Sequence, residues 1–206
     1  MIAGSVAYDS GSIVIDGQPV SITNPRNAQR HGVGIIYQEL DLFPSLSVGE
    51  NMVIGNLHFP EGAIVHKTRI KEFCRPFLDT VELSRGVNEP VASLPIGQMQ
   101  LLAIARALSM NARILLMDKP TSSLFDNAAE RLFRIIGNLK QRGVAIAYVS
   151  HKMDEIFRIC DRITVLRDGA TIGTRRTADT GMETIVGMMV GRALQFSKHL
   201  MNPSGA

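Results

Sequence analysis

Three apolar runs of strand length each lead into a polar residue of different chemistry. Val33 to Tyr37 runs into Gln38, Arg113 to Met117 runs into Asp118, and Val144 to Val149 runs into Ser150-His151. Open α/β sheets bind their ligands at the carboxyl ends of the strands. A carboxylate at such an end can hold magnesium through water. An amide can orient a water or touch the metal, and an imidazole can donate to a terminal phosphate. Each signal is weak alone, because a polar residue at a strand end is more often structural or solvated. His151 and Glu155 also stand four residues apart, the spacing of a metal pair on one helix face, but no third ligand accompanies them.

The elements that must position these residues alternate. Ser12 to Ile15 and Gln18 to Ile22 flank Asp16-Gly17, a tight hairpin signal. Asn24 and Pro25 open a short helix to His31, which Gly32 stops. Val33 to Tyr37 reads as a strand buried on both faces. From Gln38 to about Ala92 the character changes. Helices are predicted over Ser47 to Ile54 and Thr68 to Val81, joined by a Gly- and Pro-containing loop. Beyond Gly97, Leu101, Ile104, Ala105 and Leu108 fall on one helical stripe, as do Leu132, Ile135, Ile136 and Leu139. Met153, Ile156, Phe157 and Cys160 mark another helix face. Arg162 to Leu166 and Ala170 to Thr174 flank a second Asp-Gly turn, and Met182 to Val190 reads as a last helix. Strand and helix alternation predicts an α/β core with a largely parallel sheet.

Composition narrows the class. The chain has 206 residues, 45% hydrophobic and 20% charged, which supplies a real core and excludes wholesale disorder. A net charge of +3 is too small to indicate a nucleic-acid partner. Cys74 and Cys160 form no C-x-x-C, so neither a disulfide framework nor a Cys-rich zinc site is expected. No run approaches the roughly 18 apolar residues of a membrane span, and the N-terminus lacks the pattern of a signal peptide. The expectation is a soluble, cytosolic chain.

Read together, the motifs resemble the ATPases of ABC transporters. Gly34-Ile35-Ile36-Tyr37-Gln38-Glu39-Leu40 resembles their Q-loop. Leu94-Pro95-Ile96-Gly97-Gln98-Met99-Gln100 stands where the L-S-[GIV]-G-Q signature belongs. Ile114 to Leu124, ILLMDKPTSSL, resembles Walker B and the D-loop, and Tyr148 to Ile156 resembles the switch-histidine segment. The wording is closest to the sugar-importer branch, and there to the first of two ABC domains fused in one polypeptide. Val165 to Gly169 and Met189 to Arg192 support that placement. The resemblance covers about residues 1–192, with a polar tail over 193–206.

The resemblance implies a P-loop NTPase-like α/β fold. An insertion from about Glu39 to Ser93 joins the following helix in a helical subdomain over about 39–108. It implies ATP and Mg²⁺ as cofactors, with Asp118 and Gln38 at the metal, Gln38 also at the attacking water, and His151 on the γ-phosphate. Gly97 and Gln98 would contact nucleotide on a partner domain. The implied partners are membrane permease subunits, a second ABC domain and, indirectly, a periplasmic sugar-binding protein. The implied location is peripheral, on the cytoplasmic face of the inner membrane.

The departures carry equal weight. No G-x-x-x-x-G-K-[ST] and no Gly-Lys pair occurs in the chain. Ile2-Ala3-Gly4 and Asp9-Ser10-Gly11 resemble the stretch just downstream of that loop. Met1 is therefore expected to fall inside the helix after it, with the phosphate-loop strand and most of that helix lacking. Lys119 stands at the position of the catalytic Glu. A protonated lysine cannot accept the proton of the attacking water, and losing a general base costs about 10² to 10⁴ in rate. One charge pair at roughly 4 Å and an effective dielectric near 20 is worth about 4 kcal/mol before desolvation, so Lys119 can favour held over hydrolysed ATP. Pro95 replaces the signature Ser and removes a hydroxyl and an N–H. Phe125 holds the D-loop aspartate position, with Asp126 next to it. Three readings stay open: an impaired importer ATPase subunit, a non-catalytic interaction module, and a gene fragment.

Overall fold

The computed structural model describes residues 1–56, 58–59 and 66–191. The expected polar tail, Arg192 and most of the Gly- and Pro-containing loop lie outside the described residues. The chain divides into two compact units, Met1–His151 and Lys152 onward. Each is described by itself.

In the first unit, strands β1 (Ile13–Ile15) and β2 (Gln18–Val20) form an antiparallel hairpin. Asp16 and Gly17 both adopt positive φ, 52° and 76°, which the tight turn requires. Helix α1 (Pro25–Arg30) is capped by Asn24, whose side-chain oxygen accepts the Asn27 N–H at 2.8 Å. It leads into β3 (Val33–Ile36). Then come α2 (Val48–Val53), α3 (Lys67–Thr80) and α4 (Ile96–Ser109), followed by β4 (Ile114–Asp118), α5 (Asp126–Gln141) and β5 (Ala145–Val149).

The sheet order is β3-β4-β5, and all pairings are parallel. Parallel neighbours need crossovers. Helix α5 makes one, and the whole α2–α4 segment makes the other. Leu115 and Met117 of β4 are fully buried on one face. On the other face, Ile114 and Leu116 pack with Ile22, Ala28 and Val33, together with Ile13, Ile15 and Val20 from the hairpin. Both faces of β4 are therefore covered, whereas in β3, expected to be buried on both faces, Val33 and Ile36 are buried, Gly34 and Ile35 are half-buried, and Tyr37 lies beyond the strand and is exposed. Strand β5 differs: Ala145, Ala147 and Val149 are exposed, Val149 by 55%.

Helix α4 joins the two halves of this unit. It packs on α2 and α3 along one side and on β3 and α5 along another. Its Leu101, Ile104 and Ala105 are buried as the stripe predicts, but Leu108 is only half-buried and the off-stripe Leu102 is fully buried, because α4 packs on more than one side. Asn56 Nδ2 donates to Ser109 Oγ at 2.9 Å, which pins the end of α2 to the end of α4. Buried Asn51 holds the loop before α2: its Oδ1 accepts the Phe43 N–H at 2.7 Å, and its Nδ2 donates to the Phe43 carbonyl at 3.0 Å. Ser47 and Glu50 complete a capping box at the start of α2.

The second unit contains α6 (Met153–Ile159), the antiparallel pair β6 (Arg162–Arg167) and β7 (Ala170–Arg176), and α7 (Met182–Val190). Ile156, Ile163, Val165 and Ile185 form its core, and Met153, Phe157, Cys160 and Met188 pack around them. Among the described residues, no helix is long and apolar enough to cross a membrane.

Packing and charge generate two predictions. A Cβ on Gly49 would lie 2.5 Å from Ile70 Cγ2, whereas one on Gly137, inside α5, meets nothing within 4 Å. Gly49→Ala is expected to destabilise by about 1–3 kcal/mol through overpacking. Gly137→Ala is expected to stabilise by about 0.5–1 kcal/mol. Urea midpoints decide both, and a stabilised Gly49→Ala would contradict the packing described. Hydrogen bonding by Arg134 holds the Glu82 carboxyl below its ordinary range, and the Ser47 bonds do the same for Glu50. A carboxyl with a lowered folded pKa contributes stability that is complete above its unfolded value, about 4.3, and is lost as pH falls through the folded value. The urea midpoint should therefore be flat from pH 7 to 5 and fall below pH 4.5. Glu82→Gln should reduce that fall by a modest amount, because the pair is exposed.

Candidate functional site

Register brings the carboxyl ends of the three strands into line. Ile36 pairs with Met117 and Met117 pairs with Tyr148, while Asp118 pairs with Val149. Gln38 follows β3 by two residues, Asp118 is the last residue of β4, and His151 follows β5 by two. All three stand on the same edge of the sheet, and all are exposed. Leu115 and Met117 anchor the middle strand from below, so the backbone under Asp118 is held by the core.

Lys119 extends this edge. Its N–H donates to the Val149 carbonyl at 2.9 Å, and its own carbonyl accepts the Ser122 N–H at 3.1 Å. Its φ is 44°, in the left-handed region that a non-glycine residue occupies at a cost on the order of 1–3 kcal/mol. The turn after β4 is thus tight, and the Lys119 side chain is exposed on it. His151 precedes the first residue of α6. The i, i+4 pair of His151 and Glu155 on one helix is therefore corrected: His151 lies outside the helix because the chain is still leaving β5 there. Among the described residues, no group of three His, Cys, Asp or Glu side chains could hold a metal ion by themselves.

Gly97 and Gln98 are placed elsewhere. They sit in the first turn of α4, beside Leu124, Phe125 and Arg131 in a hollow of about 380 Å³ whose lining includes none of Gln38, Asp118, Lys119 and His151. Pro95 is the N-cap of α4 and supplies no side-chain cap. Its carbonyl accepts the N–H groups of Gln98 and Met99 at 2.8 and 3.1 Å. The N–H groups of the two residues before Gln98 have no acceptor within the helix, as in any helix first turn, and the helix dipole makes this end positive. Gly97 also has a packing role: a Cβ there would lie 3.1 Å from Ala128 Cβ, so the bare backbone lets α4 approach α5. Phe125 is 83% exposed and Ile96 is 42% exposed at the mouth of the hollow.

Contacts that sequence reading missed tie this second region together. Arg85 Nε donates to Gln98 Oε1 at 2.7 Å. Glu82 accepts from Arg134 at 2.7 Å through its carboxylate and from Arg131 through its carbonyl. No local signal marks these pairs, because their members lie 13, 52 and 49 residues apart.

A third region adjoins the β3 end. A cavity of about 340 Å³ is lined by Tyr37, Leu40, Leu42 and Gly55 and by Arg106 and Met110 of α4. Arg106 Nη1 donates to the Asp41 carbonyl at 2.5 Å.

The donor set fits part of a magnesium–nucleotide. The Asp118 carboxylate and the Gln38 amide are oxygen ligands of the kind Mg²⁺ takes, and His151 can donate to a phosphate oxygen. None of the residues on this edge supplies a glycine-rich cradle of backbone N–H groups.

Comparison with known proteins bears on the family and the fold. The ABC transporter family pattern matches residues 1–122. The galactose/methyl galactoside import ATP-binding protein of Haemophilus influenzae is 44% identical over 191 residues, which is 93% of this chain and 38% of that protein. The ribose import ATP-binding protein of Rhodopirellula baltica is 42% identical over 192 residues, again 93% and 38%. The chain thus spans about two fifths of the length of these relatives. Among solved structures, a nucleotide-free ATP-binding cassette from an ABC transporter superposes with a TM-score of 0.76 at 21% identity, covering 93% of this chain and 78% of that one. A bacterial ABC transporter cassette solved as a dimer gives 0.66 at 26% identity, covering 82% and 74%. With its parallel sheet, its inserted helices and its ordered strand ends, the chain belongs to the ABC transporter family and has the α/β fold of the ATP-binding cassette.

Proposed function

We propose that the chain is the ATP-binding component of a carbohydrate importer, or a portion of one, with impaired turnover. The observation that carries this reading is the shared edge on which Gln38, Asp118 and His151 stand at the ends of three parallel strands. The sugar assignment rests on the relatives, whose names specify galactose, methyl galactoside and ribose import.

In this reading, Asp118 and Gln38 hold Mg²⁺ and His151 donates to the terminal phosphate. Bound MgATP supplies the free energy of phosphoanhydride cleavage. Lys119, presented outward beside Asp118, is an electrostatic partner for phosphate and not a base. This position favours ATP retained over ATP hydrolysed. A binding module without turnover is the second reading, and Lys119 is the residue that supports it.

The first turn of α4 faces a second ABC domain, and Gly97 and Gln98 meet the nucleotide held there. The permease docks over the cavity beside Tyr37, Leu42 and Arg106, flanked by the exposed side chains of Phe43 and Ile54. The protein works at the cytoplasmic face of the membrane, held there by that contact. Any contact with a periplasmic sugar-binding protein is through the permease.

A fluorescent ATP analogue titrated with and without Mg²⁺ tests the reading. Wild-type protein is expected to bind in a Mg²⁺-dependent way, and Asp118→Asn is expected to weaken binding at least about tenfold, the loss of one charge-assisted contact. ATPase activity is expected at background. Equal binding by wild type and Asp118→Asn sinks the metal assignment. Mg²⁺-dependent turnover equal to that of an intact relative sinks the impairment.

A further inference from the structure

The side chain of Gln98 is held from behind. Its Oε1 accepts from Arg85 Nε at 2.7 Å, and Arg85 Nη1 lies 3.3 Å from Glu89 Oε2. The other oxygen of Glu89 accepts the Gly86 N–H at 2.8 Å. Glu89 therefore orients the guanidinium, and the guanidinium orients the carboxamide. A guanidinium has only donors, so the atom of Gln98 turned toward it is the oxygen. The Nε2 group, with two N–H donors, is left facing away from Arg85.

The turn that carries Arg85 is itself fixed. Glu82, at φ 56°, is gripped by Arg131 and Arg134 of α5. Contacts from α5 thus hold one end of the 82–85 turn, whose Arg85 N–H donates to the Leu83 carbonyl at 3.0 Å, and Arg85 at its other end holds the first turn of α4. Every one of these residues lies in the Met1–His151 unit.

We propose that Arg85 is a positioning residue that presets Gln98 as a donor-only group for an oxyanion, the terminal phosphate of nucleotide carried by a second ABC domain. This rests on the nucleotide reading of Gly97 and Gln98 given above. Pro95 brings no hydroxyl, so over residues 95–99 Gln98 carries the one side-chain hydrogen-bond donor. An unrestrained carboxamide presents its oxygen as readily as its nitrogen, and an oxygen facing phosphate is repulsive. A charge-assisted bond to the oxygen removes that orientation. The N–H groups of the first turn of α4 then point at the same anion.

The test reads the Gln98 side-chain NH₂ pair by ¹⁵N–¹H NMR of the full chain, assigned by its disappearance in Gln98→Glu. The probe is inorganic tripolyphosphate at matched ionic strength. In wild type the pair is expected to sit away from free-glutamine shifts and to move on titration together with the Gly97 N–H. Arg85→Lys keeps the charge but loses the planar fork. It should return the pair to free-glutamine shifts and raise the apparent Kd about tenfold, the scale of one lost charge-assisted bond. Glu89→Gln, which keeps the guanidinium but weakens its anchor, should shift both readouts in the same direction by less. Arg75→Ala, which breaks an exposed ion pair with Asp79 on α3, should leave both unchanged. A pair unmoved by Arg85→Lys, or equal tripolyphosphate affinity in wild type and Arg85→Lys, overturns the proposal. A pair that depends on Arg85 but ignores tripolyphosphate in wild type supports the positioning and removes the nucleotide reading of Gly97 and Gln98.

Discussion

The parallel pairing of β3, β4 and β5 is the constraint on which the candidate site depends. Parallel strands in register end on one edge, so three residues far apart in sequence become neighbours along that edge. Asp118 opposite Val149, and Met117 opposite both Ile36 and Tyr148, fix this alignment to the residue. A slip of one residue in β4 would move Leu115 and Met117 to the opposite, differently shaped face and bring Asp118 onto the face they now fill, so packing enforces the register. The chemistry at the edge is thus held in place by apolar packing one and three residues earlier in the same strand.

Helix α4 performs the complementary task. Its side chains pack on α2 and α3, on β3, and on α5. One end carries Gly97 and Gln98, and the other carries Ser109, tied to Asn56. Such a helix transmits position between the helical insertion and the sheet, because a close-packed element cannot move at one end alone. Gly97 contributes by absence, letting α4 approach Ala128 closely. The same residue thus has a packing role alongside the one proposed toward nucleotide, and the two draw on the same lack of a Cβ.

The turn at Lys119 is built without its side chain. Its backbone still bonds to Val149 and Ser122, and the turn still adopts positive φ. In the function proposed above, an ammonium stands where the resemblance leads one to expect a carboxylate. The fold accommodates a lysine here because its side chain is exposed and the backbone bonds at this residue do not involve it.

Periodicity and strand-end residues made most of this legible from the amino acids. The stripe of Leu101, Ile104 and Ala105, the Asp-Gly turns and the Asn24-Pro25 start all report local preferences, which act within a few residues and need no partner. They determined the α/β class, while the strand ends together with the resemblance to ABC ATPases singled out the candidates Gln38, Asp118 and His151. The tertiary structure alone decided that His151 lies outside α6, that β5 leaves one face exposed, and that Gly97 and Gln98 line a hollow apart from the strand ends. It also revealed Arg85 behind Gln98 and the arginines of α5 on Glu82. Those contacts join side chains whose separation in sequence carries no pattern, so their meeting follows only from how the helices pack.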